Sequence, residues 1–276
     1  MIPDGWYMVL PSSALRSGQT HTEQALCTQL TITRQANGAV SVTDATGATR
    51  QVLEVNDMIT VWEGDGKPGF AIEACAELSD RAWTGVRWGR SPVYQTSVVN
   101  VQRDVVDNDH FAPVHHLEGA ETTAQPAGPY LDTVSQGIMN LRRLGGPPML
   151  CHIRLTGRLH GVGLLTYRTT ITLGTQLCSL VLSAPTPIDA HTVRFHVGIS
   201  VKRLFPVASE VMRYAVLASV LKDISRDAQH WETPVGRLGE DRARAAEQVR
   251  MFGVFDRWLE QHQTKQPARL QHAVAQ

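Results

Sequence analysis

The sequence predicts an α+β fold, a large curved antiparallel sheet embraced by helices with a smaller strand-rich piece ahead of it. Three observations carry that expectation. Residues 1 to about 75 are short β-branched and aromatic runs separated by turns. Longer strand-like runs follow residue 148. After Pro206 the apolar residues recur every three to four positions.

Taken in order, "GWYMVL", "CTQLTITR", "GAVSVTD" and "DMITVWEG" read as strands of the first piece. The stretch "GDGKPG" (64–69) lacks the G-K-[ST] ending of a phosphate loop and reads as a turn. "TGVRWGRSPVYQTSVVNVQ" reads as a strand leading into a helix. The polar segment 119–148, with its Pro and Gly residues, reads as a long surface excursion. "MLCHIRLTGRL", "GVGLLTYRTTITLGT", "LCSLVLSAPTPI" and "TVRFHVGISVKR" are long enough for a large sheet. Val211, Ala215, Ala218 and Leu221 share one helical face in a helix running to about Trp231. A second helix is expected from about Asp241 to His262.

Composition excludes several functions. The 276 residues carry 26 Lys+Arg and 26 Asp+Glu, so no basic field exists to hold nucleic acid or an anionic membrane. No apolar run reaches the ~18 residues of a membrane span, and the N-terminus lacks the pattern of an export signal. A soluble, cytoplasmic protein is the expectation. Cys27, Cys75, Cys151 and Cys178 are scattered and form no C-x-x-C or C-x-H pair, so free thiols are expected.

The chemistry concentrates in "DNDHFAPVHH" (107–116). Asp107 and His110 are three apart, a spacing that puts a carboxylate beside an imidazole on one helical face. His110 and His115 are five apart, about 140° around a straight helix at roughly 100° per residue. Pro113 disfavours helix at Ala112, so a helix ending there lets His115 turn back toward His110. Two imidazoles plus a carboxylate from elsewhere make the facial triad of non-haem Fe(II) enzymes. By itself the spacing also suits a polar helix end with exposed histidines.

In this stretch the chain resembles the Rieske non-haem iron oxygenases. Asp107, His110 and His115 fit their D-x2-H-x4-H motif, in the style of the 3-ketosteroid 9α-hydroxylase oxygenase component. "GWYMVLPSSALRSGQ", "LEVNDMITVWEGDGKPG", "SAPTPIDAHTVRFH" and "FGVFDRWLEQ" resemble family segments in the same order. In "VLKDISRDAQHWE" the aspartate before the tryptophan matches the family's carboxylate ligand. The resemblance therefore implies mononuclear Fe(II) on His110, His115 and Asp227, with Asp107 carrying electrons toward it across a subunit boundary. It implies a helix-grip catalytic domain over 79–264, a reduced Rieske-like β-domain over 1–78 and a mobile tail over 265–276.

The departures are as informative. "SVTDATGATRQVLEVND" runs straight between outer strands where the family inserts the Cys and His pairs of a [2Fe–2S] cluster. No cluster is expected in this chain. Asp104 and Arg103 stand where the family has asparagine and glutamate near the iron. The implied function is oxidation of a bulky, largely apolar small molecule with dioxygen. Electrons would come in trans from a Rieske, ferredoxin or reductase partner, for which the bacterial methylxanthine N-demethylase system is a precedent. A homotrimer or a mixed assembly is implied. A redox-neutral cyclase or isomerase, and a non-catalytic ligand-binding subunit, remain alternatives. His116 is expected to be exposed, His152, His160, His191 and His196 to lie on the surface or satisfied in the core, and Trp231, Met212 and Tyr214 to pack in the core.

Overall fold

The structure is a computed structural model and describes residues 1–140, 142, 149–173, 176–231 and 242–263. The expected mobile tail at 265–276 and the expected helix start at Asp241 lie outside the described residues.

The first piece builds two small sheets. One is β1 (Gly5–Pro11), β7 (Met58–Glu63) and β6 (Val52–Val55), in the order β1-β7-β6. The other joins β2 (Thr20–Ala25), β3 (Thr28–Arg34), β4 (Val40–Thr43) and β5 (Thr49–Arg50) in sequence order. The turn read at 64–69 is a run of bends, as expected. The β2–β3 hairpin turns through Leu26 and Cys27, both in the left-handed region at φ 55° and 61°. That conformation costs non-glycine residues roughly 1–2 kcal/mol each. It is offset by tertiary bonds, because the Leu26 and Cys27 amides donate to Pro187 and Ile188 carbonyls of the large sheet at 2.8 and 2.9 Å.

Seven antiparallel strands form the large sheet: β8 (Arg87–Gln95), β9 (Glu118–Ala127), β10 (Tyr130–Asn140), β11 (Leu150–His160), β12 (Leu165–Thr172), β13 (Gln176–Pro187) and β14 (Thr192–Val201). Their order is β8-β14-β13-β12-β11-β10-β9. The surface excursion expected over 119–148 is thereby corrected, since its first part is the β9–β10 hairpin at the sheet edge. Central strand β13 is buried along both faces from Ser179 to Pro187. Its outward Leu180, Leu182 and Ala184 pack with Cys75, Trp88, Trp6 and Met8, while Val181 faces the main core. Burial on both faces explains its near-continuous apolar sequence.

The helices lie on the inner face of this sheet. They are α1 (Val98–Arg103), α2 (Phe111–His115), α3 (Pro206–Trp231) and α4 (Arg242–Gln263). The 26 residues of α3 span about 39 Å at 1.5 Å per residue and bury Leu217, Ile224 and Ala228 against the core. In α4, Met251, Phe255 and Trp258 close the core at the other end. This is a helix-grip arrangement, as the sequence predicts. Among the described residues no helix is long and apolar enough to cross a membrane.

Candidate metal centre

Helix α1 starts at Ser97, whose hydroxyl accepts from the Asn100 amide at 3.2 Å. One 3₁₀ turn over Asp104–Val106 follows, and Asp107 then leaves helical geometry at φ −87°, ψ 102°. Asp107 and His110 therefore do not share a continuous helix. The Asp107 carboxylate, 2% exposed, accepts from the Asp109 amide at 2.9 Å and lies 4.0 Å from His110 Nδ1. The carboxylate thus stands beside the imidazole, as the spacing suggests, at a separation longer than a hydrogen bond.

His110 immediately precedes α2, and His115 ends it. Pro113 does not stop the helix; it falls in the first turn, where an amide has no intrahelical partner to lose. The helix is only five residues long and closes on His116, at φ 56° in the left-handed region. The ring of Phe111 stacks on His110 at 4.6 Å, and the His110 and His115 rings meet edge to face at 4.8 Å. A short helix with one imidazole just outside it brings together two rings that a longer straight helix would separate.

The carboxylate comes from α3. Donor atoms of His110, His115 and Asp227 all lie within 4.8 Å of one another. His115 Nε2 sits 3.2 Å from Asp227 Oδ1. Two ligands at right angles about a metal, each about 2.1 Å away, stand roughly 3 Å apart. His110 Nδ1 and Asp227 Oδ1 are buried and make no hydrogen bond of good geometry, although Asp227 Oδ1 faces His115 Nε2. Buried polar atoms are seldom left so unless something else satisfies them. Two imidazoles and a carboxylate arranged this way fit a divalent first-row metal, iron included.

Electrostatics separate the two histidines. Burial, then the neighbouring His115, hold the His110 pKa below its ordinary value, against the pull of Asp227 and Asp107. Burial also opposes charge on His115, but Asp223 and Asp227 outweigh it and push its pKa up to about 10. A metal binding there would have to displace that proton.

Beside the centre lies a cavity of about 510 Å³ between α3 and the inner face of the sheet. Strand register arranges its floor in rows. Thr133, Gly157, Tyr167 and Val181 form one, and Ser135, Leu155, Thr169 and Ser179 the next. Met212 and Trp231 pack against the main core, as expected, and also line this cavity, whereas Tyr214, against expectation, lies on the surface beneath the Arg87 guanidinium. Asp104 also lines it, accepting from Trp231 Nε1 at 2.7 Å, while Arg103 turns away to Asp256 and the Phe252 ring. His160 and His196 are buried.

The structure adds residues that sequence reasoning missed. Asp223 stands one turn before Asp227 and 3.8 Å from His115 Nδ1. Its D-x3-D spacing on a helix was a readable signal. Gln248 of α4 accepts from the Asn108 amide at 2.9 Å and donates to the Val106 carbonyl at 3.4 Å, bracketing Asp107. Nothing local marks it.

With this geometry in view, the model of the 3-ketosteroid 9α-hydroxylase C-terminal domain family matches residues 62–261. The chain belongs to that family. Membership places it among the catalytic domains of Rieske oxygenases and implies non-haem iron oxygenase activity. Solved structures share the fold of this 3-ketosteroid 9α-hydroxylase-type domain. Dicamba monooxygenase bound to 3,6-dichlorosalicylic acid is 14% identical with a TM-score of 0.67, over 96% of this chain and 99% of that one. The same enzyme has been solved with non-haem iron and dicamba. NdmB of Pseudomonas putida CBB5 is 11% identical, with a TM-score of 0.62, over 91% of this chain and 89% of its own. The quaternary ammonium Rieske monooxygenase CntA is 11% identical, with a TM-score of 0.55, over 94% and 88%. No curated protein matches the chain.

Proposed function

We propose that this chain is the catalytic subunit of a non-haem iron oxygenase that oxidises a bulky, largely apolar small molecule. His110, His115 and Asp227 are the residues that would hold Fe(II). One observation carries the reading: three donor atoms from segments more than 100 positions apart converge beside an apolar cavity. When bound, iron would supply the redox chemistry that activates dioxygen.

The chain's own residues do the rest. Leu155, Val181, Val216 and Val220 among others shed water around an apolar skeleton, and the rows of Thr and Ser offer its few polar groups a partner. Burial, then the Asp223 and Asp227 carboxylates, hold the Tyr167 phenol protonated, so it faces the cavity as a hydrogen-bond donor. Asp107, buried beside His110, is the residue we assign to electron delivery. We further infer that electrons arrive in trans. The four cysteines are all free and none precedes a histidine at the spacing of a cluster pair. On this reading residues 1–78 are a reduced Rieske-like β-domain without a cluster, residues 79–264 the catalytic domain, and the working form is a homotrimer or a mixed assembly with the electron donor.

The test is iron content after anaerobic loading. His110→Ala and Asp227→Ala should each lose the iron, whereas Asp107→Ala should keep most of it and slow its reduction by a Rieske donor. Normal turnover by a chain lacking all three ligands would instead establish the redox-neutral cyclase or isomerase.

A further inference from the structure

We propose that Asp223, held by Arg226, is the positioning residue that fixes the His115 ring, with Nδ1 toward Asp223 and Nε2 left for the metal. The inference rests on the metal reading of His115 and Asp227. It assigns to α3 an orienting role for His115, distinct from the pairing of Asp107 with His110.

The His115 ring lies lengthwise between two carboxylates one helical turn apart. Its Nδ1 is 3.8 Å from Asp223 Oδ1 and its Nε2 is 3.2 Å from Asp227 Oδ1. Each nitrogen thus faces its own oxygen, and reversing the ring would exchange the partners. Asp223 is itself anchored. Arg226 Nη1 donates to Asp223 Oδ1 at 3.2 Å and reaches the Val114 carbonyl at 3.4 Å. One guanidinium therefore ties the carboxylate of α3 to the backbone of α2 beside His115. A metal-binding histidine needs its other nitrogen protonated and directed, because a carboxylate there fixes the tautomer and strengthens the ligand. At 3.8 Å the His115–Asp223 contact is an ion pair. Asp107 is placed less well for such a role: it stands 4.0 Å from the other histidine and already accepts from the Asp109 amide.

The probe is Co(II) alone, added anaerobically to the metal-free full chain and followed by its d–d absorption. Asp223→Ala should weaken binding about 10- to 100-fold, the usual effect of removing such a partner. Asp223→Asn, which keeps the shape and an acceptor oxygen, should recover part of the loss. Arg226→Leu should weaken binding by a smaller factor. Nitrogen-15 spectra of the Zn(II)-loaded, histidine-labelled protein should show His115 with Nδ1 protonated and Nε2 bound in the native chain, and a mixture of ring states in Asp223→Ala. Asp223 is partly exposed, so both variants should fold, which circular dichroism checks. Wild-type Co(II) affinity and an unchanged His115 tautomer in Asp223→Ala would overturn this proposal alone. Wild-type affinity in His115→Ala and Asp227→Ala would overturn the metal reading beneath it.

Discussion

Gly157 shows how closely single atoms shape the cavity. A Cβ built there would lie 2.6 Å from Thr133 Oγ1 and 3.3 Å from Leu165 Cδ1, so the row through Thr133 and Tyr167 has no room for a methyl group. Gly157→Ala should therefore cost about 1–3 kcal/mol, the range for overpacking. Thr133→Ala in the same chain should recover most of that loss, because it removes the atom that is struck. A denaturant double-mutant cycle measures the coupling, and additive losses would refute the contact. Co(II) binding should survive in both variants, since neither residue is a proposed ligand. The ligand histidines were readable from one short stretch. Gly157 was not, because what its missing side chain makes room for sits on another strand.

At the scale of elements, the Asp107 turn is held from a distance. Gln248 is 3% exposed, and its amide satisfies both the Asn108 N–H and the Val106 C=O. Gln248→Ala strands those groups and should destabilise the fold by about 1–3 kcal/mol. It should also weaken Co(II) binding, because His110 leaves the same turn. Melting temperature and metal titration check the two effects, and an unchanged melt would show that the turn stands without α4. The β9–β10 hairpin teaches the complementary lesson. Alternation is present in β10, where Leu131, Thr133 and Ser135 are buried and Asp132, Val134 and Gln136 less so. Two of its inner positions, Thr133 and Ser135, are polar because they floor a cavity, while Leu131 packs in the main core. A rule that looks for apolar residues on alternate positions passes over such a strand.

Across the whole molecule, two buried histidines set a limit on acid stability. Burial lowers the His160 pKa to about 4, with Glu73 and Asp132 opposing and Arg158 assisting. Burial, then Arg90 and Arg194, lower that of His196 to about 3. Both are 6.5 in the unfolded reference, so between about pH 4 and 6.5 the unfolded chain binds protons that the native chain refuses. The contribution of these two histidines is fully present above pH 6.5 and falls on acidification by up to about 1.4 kcal/mol per pH unit for each. Denaturation midpoints measured from pH 7 to pH 5 should drop. The drop should shrink in a chain carrying His160→Gln and His196→Gln; an equal slope there would assign the acid sensitivity elsewhere.

By itself, the sequence determined the class of the fold, most of its strands, both long helices and the grouping of Asp107, His110 and His115. Those features are local: a period of two or of three to four, a proline, or histidines a few positions apart. Asp227 was marked only by the family resemblance. Tertiary structure alone decided that Asp227 stands 3.2 Å from His115 across 112 positions, that Asp223 faces the other His115 nitrogen, and that Gln248 holds the turn. The physical reason is that a hydrogen bond or a ligand distance is fixed to a few tenths of an ångström by how α2, α3 and α4 pack. No spacing along one chain encodes a separation between two segments; only the core that packs them together sets it.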